Sequence, residues 1–314
     1  AGGRDGGAGP GGAPSGRLQG VEQEGEKTMG KIVIVGSGPA GCSAALYAAR
    51  AGQEVVVISM GMGALSKAEL IQNYYGFEEG ITGAELYRQG VAGAKAVGAE
   101  FITAEVVGLD YTGSLVVQTT EGDYPADAVI LATGAGRIAP KIAGLAEHEG
   151  RGVSYCATCD AFFYRGKTAA VLGSGEYALH EVQALLPLAG KVILCTNGEP
   201  LTADFPEGVE ICTEKLAAVE GEEKVSALRL ENGELLPVEG FFVALGVAGS
   251  AALARKLGAP VENGRIVVDE RMQTGIPGLY AAGDCTGGLL QVCKAVYEGA
   301  LAATEAIKQI RGKK

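Results

Sequence analysis

The chain has 314 residues, of which 47% are hydrophobic, so it is long enough for two globular domains and too apolar to be disordered throughout. Its formal net charge of -11 argues against nucleic acid as a partner, because phosphate binding needs a basic surface. No apolar run approaches the roughly 20 residues of a membrane helix, so no membrane partner is expected.

Residues 1–28 are rich in glycine, without periodicity and with almost no large apolar side chain. Such a stretch cannot bury enough apolar surface to offset the entropy that it would lose on ordering. We therefore predict a disordered tail over 1–28, with Met29 as the natural start of the chain.

The next segment follows the order strand, glycine-rich turn, helix, strand. A continuous apolar run at 31–35 is typical of a strand buried on both faces, and a helix through Arg50 and a strand at 54–58 follow it. This context turns the GxGxxG pattern into a prediction of dinucleotide binding, since its backbone can approach a pyrophosphate at a helix N-terminus. The residues of the turn are Gly36, Ser37, Gly38, Pro39, Ala40 and Gly41. The acid that usually binds the ribose after the second strand is absent.

The chain then continues through a predicted helix near 83–97 and the strands of a smaller meander over 100–117. A buried strand at 127–131 ends in an Ala-Thr-Gly sequence at 132–134.

The strand–turn–helix–strand unit occurs a second time, with a strand at 168–172, a glycine-rich turn at 173–178, a helix to about Ala189 and a strand at 191–195. We predict the α/β fold class, with two Rossmann-like (doubly wound, three-layer) dinucleotide-binding domains, the second inserted into the first. The predicted ranges are 29–122 and 247–314 for the first domain and 123–246 for the inserted domain.

Cys156 and Cys159 are separated by two residues, a spacing that lets them open and close a disulfide. The pair could also be half of a zinc site or two unrelated buried cysteines. Zinc needs four ligands, whereas the other five cysteines stand singly and only two histidines occur, both expected on the surface or on a helix face. We therefore expect redox chemistry and no metal.

An odd number of cysteines and no secretory segment indicate a reducing, cytoplasmic compartment. The single cysteines, including Cys195 and Cys212 in apolar strands, are expected to pack rather than react.

Five motifs together resemble those of the low-molecular-weight thioredoxin reductases, over essentially all of 29–314. They are GSGPAG at 36–41, ATG at 132–134, CATCD at 156–160, GxGxxA at 173–178 and AAGD at 281–284. The resemblance implies FAD in the first domain, a homodimer, and reduction of a thioredoxin disulfide.

The same resemblance implies a role for each matching residue. Cys159 would lie against the flavin, and Cys156 would be the outward thiolate that attacks thioredoxin. Asp160 would be the acid–base group, with a helix N-cap as its alternative role. Asp284 could instead cap a turn, and Gln291 could face solvent. The implied FAD contacts outside the first glycine-rich turn are Asn73, Thr133, Gly134, Gly283, Asp284, Gln291 and Val292.

The second glycine-rich unit departs from the family pattern. The 2′-phosphate of NADPH needs arginines just after the second strand, but no Lys or Arg occurs between Lys191 and Lys215. In this respect the chain is similar to the ferredoxin-dependent flavin thioredoxin reductases, which keep the inner domain without using nicotinamide. We expect ferredoxin as the electron donor, with NADH held by Glu199, or NADPH, as alternatives. A dithiol oxidase and a non-catalytic redox sensor are the alternative functions. Without nicotinamide, the inner domain is expected to keep Cys159 near the flavin or to move only to meet thioredoxin.

Overall fold

The computed structural model describes residues 29–135, 140–246 and 248–312. The tail predicted over 1–28 and the predicted return point at residue 247 lie outside the described residues. Within them the predicted α/β class is confirmed, because two five-stranded parallel sheets form the centres of two units.

Two neighbouring strands of the first sheet, at 31–35 and 54–59, are short runs rich in β-branched residues that are buried along almost their whole length. Strands without polar alternation need cover on both faces, which the helices provide. The elements are β1 (Lys31–Val35), α1 (Pro39–Arg50), β2 (Glu54–Ser59), α2 (Gly83–Ala96) and β3 (Glu100–Thr103). β3 pairs in parallel with β2, so the first strand of the predicted meander belongs to this sheet instead.

An antiparallel sheet of three strands follows, formed by β4 (Val106–Tyr111), β5 (Leu115–Thr119) and β6 (Gly122–Ala126). The next strand, β7 (Ala128–Leu131), returns to the first sheet and pairs in parallel with β1. The domain boundary predicted between residues 122 and 123 is therefore wrong. β7 is completely buried and apolar, so it needs a strand on each side and cover on both faces, and the first unit provides them.

The second unit has a parallel sheet of five strands and a small antiparallel sheet of three strands. Its elements are β8 (Val153–Ser154), α3 (Ala157–Asp160), β9 (Thr168–Leu172), α4 (Glu176–Leu185), β10 (Lys191–Cys195), β11 (Glu210–Cys212), β12 (Leu216–Glu220), β13 (Ala227–Leu230), β14 (Leu235–Pro237) and β15 (Gly240–Val243). The strand order in the parallel sheet is β11-β10-β9-β15-β8, and β12, β13 and β14 form the antiparallel sheet. The predicted helix to Ala189 ends earlier, at Leu185, because Pro187 cannot continue the backbone hydrogen bonding.

The chain then returns to the first unit. The remaining elements are α5 (Ser250–Lys256), β16 (Val261–Glu262), β17 (Arg265–Ile266), β18 (Leu279–Ala281) and α6 (Val292–Gly312). β18 pairs with β7 at the edge of the first sheet. α6 packs closely on α1, since a Cβ at Gly299 would lie 2.1 Å from the Ala40 carbonyl oxygen. None of the helices in the described residues is both long and apolar enough to cross a membrane.

The two units share one buried core. Leu109 of β4, Val182 of α4 and Leu253 of α5 belong to the same cluster of buried side chains. α5 therefore lies where the first unit meets the second, which gives it a direct part in the site described next.

Candidate active site

The first glycine-rich turn presents an open backbone at the carboxyl end of β1. Gly36 has a φ of +109°, and a Cβ there would lie 2.4 Å from the Ala132 carbonyl oxygen. A Cβ at Gly41 would lie 1.8 Å from the Gly36 carbonyl oxygen, so both glycines are required by the turn itself. Gly38 differs, because no described atom lies within 4 Å of an added Cβ. The turn therefore fits a pyrophosphate that approaches Gly38 and the start of α1.

Hydroxyl groups occupy the position after β2 where an acid is usual. Ser59 Oγ donates a 2.7 Å hydrogen bond to Ser37 Oγ. Ser37 Oγ donates to the Gly61 carbonyl oxygen at 3.2 Å and lies 3.1 Å from the Tyr87 hydroxyl oxygen. Ser37 was predicted as a cofactor contact, whereas its partners were missed, because Tyr87 lies 50 residues away on α2.

The loop after β18 is held by a buried ion pair that the sequence did not indicate. Glu298 Oε2 accepts a 2.8 Å hydrogen bond from the Gly283 N–H, and Lys294 Nζ donates to the Gly283 carbonyl oxygen at 2.8 Å. Lys294 and Glu298 are themselves 2.9 Å apart on consecutive turns of α6. This pair fixes Gly283, whose φ is +84°, and thereby the position of Asp284 beside it.

The other predicted cofactor contacts lie at the same edge of the first sheet. Gly134 lies three residues after the end of β7, and the Thr133 hydroxyl oxygen is 2.7 Å from that of Ser250, at the start of α5. Asn73 Nδ2 donates a 2.8 Å hydrogen bond to Gln291 Oε1, immediately before α6. Val292 begins that helix. The structure thus brings the predicted residues to one edge, and Ser250 is a neighbour that the sequence did not identify.

Cys156 and Cys159 are joined by a disulfide at the start of α3. Cys156 is the N-cap of this short helix, and its Sγ accepts a 3.1 Å hydrogen bond from the Cys159 N–H. Cys156 is only 4% exposed, whereas Cys159 is exposed. The expected outward position of Cys156 is therefore wrong for this conformation, whereas its role as the thiolate that attacks thioredoxin stays a prediction. Cys156, at the N-cap position, is buried in the fold, whereas Cys159, within the helix, is exposed to solvent.

Asp160 is the last residue of α3 and is half-buried. Its Oδ2 accepts a 2.6 Å hydrogen bond from Ser154 Oγ, and its side chain makes no capping hydrogen bond to a helix. Asp160 stands at the N-cap position of the short 3-10 helix at 161–164, but because its carboxylate makes no capping hydrogen bond there, the alternative role as an N-cap carboxylate is wrong. Ser154 also accepts a 3.1 Å hydrogen bond from the Cys156 N–H, so one hydroxyl links the acid to the disulfide.

A buried ion pair joins the disulfide helix to α5. Lys256 Nζ lies 2.5 Å from Glu181 Oε1, and both side chains are 1% exposed. Glu181 Oε2 also accepts a short hydrogen bond from the Ala157 N–H, in the first turn of α3. Without Lys256, the Glu181 carboxylate would be a buried negative charge without a cation to compensate it, next to the first turn of α3.

The backbone of α5 also contacts the disulfide directly. Cys159 Sγ lies 3.9 Å from the Arg255 carbonyl oxygen and 3.7 Å from that of Lys256. The Arg255 guanidinium lies 4.7 Å from the centre of the Tyr155 ring and 3.2 Å from Glu149. α5 therefore begins at the predicted flavin edge and ends at the disulfide.

The second glycine-rich turn is covered by the chain itself, in contrast to the first. Thr202 donates hydrogen bonds to the Ser174 carbonyl oxygen from its N–H, at 2.8 Å, and from its hydroxyl, at 3.3 Å. A Cβ at Gly175 would lie 3.1 Å from Thr202 Oγ1. The buried Tyr177 hydroxyl donates to the Tyr155 carbonyl oxygen at 3.0 Å, and Glu176 places an acid in the first turn of α4. Both the covered turn and this acid oppose a pyrophosphate.

Two of the single cysteines, Cys42 and Cys285, and one of the two histidines, His148, are buried in the fold. Burial raises the pKa of the Cys42 thiol to about 12 and that of Cys285 to about 11, so both stay protonated. His148 is buried, with ring nitrogens 2.7 Å from the Gly144 and 3.1 Å from the Gly221 carbonyl oxygen. The expectation that His148 lies on the surface or on a helix face is wrong, because its ring is buried in a turn between these two carbonyl groups.

Comparison with known proteins identifies a family. The sequence model described as pyridine nucleotide-disulphide oxidoreductase matches residues 30–299. A thioredoxin reductase of Aquifex aeolicus is 36% identical over 307 residues, covering 90% of this chain and 94% of the relative. The atypical thioredoxin reductase of Desulfovibrio vulgaris Hildenborough has a similar structure, with a TM-score of 0.85, 40% identity, and 90% and 98% of the two chains covered. A ferredoxin-flavin thioredoxin reductase of Clostridium acetobutylicum matches with a TM-score of 0.69, 35% identity, and 91% and 99% coverage.

Proposed function

Because this chain belongs to the thioredoxin reductases of the pyridine nucleotide-disulphide oxidoreductase family, we propose that it reduces thioredoxin through its Cys156–Cys159 pair, with ferredoxin as electron donor. Members of this family are FAD-binding flavoproteins, and this chain binds FAD. The bound flavin accepts electrons singly and delivers them in pairs to a disulfide.

The residues proposed to hold FAD are those at the open edge of the first sheet. The backbone at Gly38 and the start of α1 would receive the pyrophosphate. Asp284, fixed through Gly283 by the ion pair of α6, would accept hydrogen bonds from hydroxyl groups of the cofactor. Gln291 and Val292 would lie at the flavin, where the N-terminus of α6 favours negative charge.

The dithiol formed from Cys156 and Cys159 would pass two electrons to thioredoxin. One thiolate attacks a sulfur of the thioredoxin disulfide, forming a mixed disulfide and releasing the other thioredoxin sulfur as a thiolate. The second cysteine then attacks its neighbour, which restores the Cys156–Cys159 bond and frees reduced thioredoxin. Asp160, held by Ser154 next to the pair, is proposed to supply and accept the protons of these steps.

Which sulfur attacks thioredoxin is testable with single-cysteine variants. We propose Cys156 as the attacking thiolate, which requires α3 to move, because Cys156 is 4% exposed. Cys159→Ser should then form a stable mixed disulfide with a thioredoxin that keeps one active-site cysteine, activated as its disulfide with thionitrobenzoate, and should release the thionitrobenzoate anion, whereas Cys156→Ser should not. Trapping by Cys156→Ser alone would assign the attack to Cys159, the exposed sulfur.

The observation that supports ferredoxin over nicotinamide is the covered second turn. Thr202 bonds to the Ser174 carbonyl oxygen where a pyrophosphate would approach Gly175, and no Lys or Arg lies between Lys191 and Lys215 to bind a 2′-phosphate. An electron donor that is itself a protein needs neither feature, because it can dock on the surface and deliver electrons to the flavin.

Anaerobic titration of the holoenzyme tests the donor. Reduced ferredoxin should bleach the visible flavin absorbance and then support reduction of thioredoxin, whereas stoichiometric NADPH or NADH should leave the spectrum unchanged. Prompt bleaching by either nicotinamide would contradict the proposal.

Oxygen-dependent turnover of a small dithiol, without activity on thioredoxin, would indicate a dithiol oxidase. A Cys156→Ser protein that still reduces thioredoxin would show that the pair is not the catalyst. The homodimer and the cytoplasmic location stay predictions, and light scattering of the holoenzyme tests the first.

A further inference from the structure

The second unit contains a second pair of neighbouring cysteines. Cys195 ends β10 and Cys212 ends β11, and the two residues are directly paired in the parallel register of these strands. Directly paired residues of neighbouring strands point to the same face of the sheet. Neighbouring strands lie about 4.8 Å apart, which is within the Cα–Cα range of roughly 4.4–6.8 Å that a disulfide spans.

The surroundings of the two thiols differ. Cys195 is completely buried, whereas Cys212 is partly exposed on β11, the edge strand of the second sheet. Cys195 Sγ–H donates a hydrogen bond to the Cys212 sulfur, and this bond, together with one from the Glu214 backbone, lowers the pKa of Cys212 to about 6. Burial and the carboxylates of Glu214 and Glu234 oppose this shift without cancelling it. The same hydrogen bond raises the pKa of Cys195, so its thiol stays protonated.

We propose that Cys212 and Cys195 form a peroxide-sensitive dithiol, distinct from the catalytic pair, with Cys212 as the attacking thiolate and Cys195 as the resolving thiol. The oxidant is a hydroperoxide. The Cys212 thiolate attacks the peroxide O–O bond, becomes a sulfenic acid and releases hydroxide, which takes up a proton to give water. Cys195 sulfur then attacks the Cys212 sulfur, and the departing hydroxide leaves as water with the Cys195 proton. The two thiols thereby lose two electrons and hydrogen peroxide is reduced to two water molecules.

The pair is connected to the second glycine-rich turn. The Gly173 N–H donates a 3.0 Å hydrogen bond to the Cys195 carbonyl oxygen, and the Thr196 N–H donates to that of Cys212 at 2.9 Å. A disulfide would therefore join the edge strand to the strand that supports this turn. The proposal does not depend on the identity of the electron donor.

The test treats the oxidised holoenzyme with substoichiometric hydrogen peroxide at neutral pH and maps its thiols. Trypsin releases both cysteines in one peptide, residues 192–215, because no Lys or Arg lies between them. Disulfide formation should lower the mass of this peptide by two hydrogen atoms, and further cleavage after Glu207 or Glu210 should leave the two halves joined until a reductant is added. In each molecule that has formed this disulfide, three of the five free cysteines should remain reactive after denaturation.

Cys293 serves as the matched control, because its thiol is exposed. Cys212 should be consumed faster than Cys293, and its rate should fall about tenfold between pH 7 and pH 5, as the thiolate is protonated. Cys195→Ala removes the hydrogen bond that lowers the pKa of Cys212, so oxidation should be slower, but the sulfenic acid that forms on Cys212 should persist and be trapped by dimedone. Cys212→Ser should leave Cys195 unmodified.

Three results would overturn the proposal: equal or faster consumption of Cys293, addition of oxygen to the peptide in the parent protein without loss of hydrogen, or oxidation of Cys195 in Cys212→Ser. The mass measurements require no thioredoxin or ferredoxin, so failure here and failure of the proposed function are separate results. If Cys195→Ala does not fold, the partly exposed Cys212→Ser still decides the order of attack.

Discussion

Replacing Lys256 with methionine should destabilise the protein more than any exposed lysine substitution. The Lys256–Glu181 pair is 1% exposed on both sides, so Lys256→Met leaves Glu181 charged and desolvated beside Ala157. Removing one partner of a buried pair costs about 3–5 kcal/mol. With an m-value of about 3 kcal/mol/M in urea, the unfolding midpoint should fall by roughly 1–2 M.

The assay is urea unfolding of the holoenzyme, followed by far-UV circular dichroism and by flavin fluorescence on release. Coincident transitions are required before a single free energy of unfolding is assigned. Lys191→Met is the matched control, because Lys191 pairs with Glu210 at 2.6 Å with about half of each side chain exposed. An exposed pair of this kind contributes less than about 1 kcal/mol.

The double variant Glu181→Gln/Lys256→Met separates charge from packing. Glutamine still offers an oxygen to the Ala157 N–H, and no buried charge remains, so at least half of the lost stability should return. The reasoning is refuted if Lys256→Met lies within about 1 kcal/mol of the parent protein, or if the double variant is less stable than the single one.

Three further substitutions test other parts of the structure. Gly38→Ala should lower FAD affinity, measured by flavin titration, without changing apoprotein stability, whereas Gly41→Ala should destabilise the fold by about 2 kcal/mol because its Cβ would meet a backbone oxygen. Equal effects of the two on apoprotein unfolding would contradict this assignment. Thr196→Val should raise the free energy of unfolding by about 1 kcal/mol, since Thr196 Oγ1 is buried without a hydrogen-bond partner in the described part of the chain; a loss of stability would show that the hydroxyl is satisfied. Burial, with a smaller contribution from Lys256, lowers the pKa of His180 to about 4. Because the unfolded chain takes up this proton first, the contribution is complete above about pH 6.5 and is lost as the pH falls to about 4. The full shift corresponds to about 3 kcal/mol, and solvent screening of the partly exposed ring reduces this to about 2 kcal/mol, a loss that His180→Gln should remove. Parallel stability–pH curves for parent and variant would refute it.

Local patterns predicted the first unit and the redox pair well. The apolar run, the glycine-rich turn and the helix to Arg50 are consecutive in the chain, and the structure has them at β1 and α1. The glycines at 36 and 41 are required because backbone atoms approach them closely. The two-residue spacing of Cys156 and Cys159 likewise suffices to bring their sulfurs together.

Features that depend on pairing between distant segments were not predictable in this way. The boundary at 122/123 was wrong because β7 is assigned to the first sheet by pairing with β1, almost 100 residues earlier. The burial of Cys156 was missed because its exposure depends on what packs against α3, and not on its own motif.

The sequence by itself determined the kind of chemistry, because each glycine-rich turn and the CxxC pair is formed by residues that are neighbours in the chain. The tertiary structure decided which groups surround that chemistry. Glu181 and Lys256 are 75 residues apart, and Cys195 and Cys212 are paired only because β10 and β11 are adjacent strands. The cover that Thr202 places over the second glycine turn also arises from folding, because a loop's position depends on the free energy of the whole packed chain.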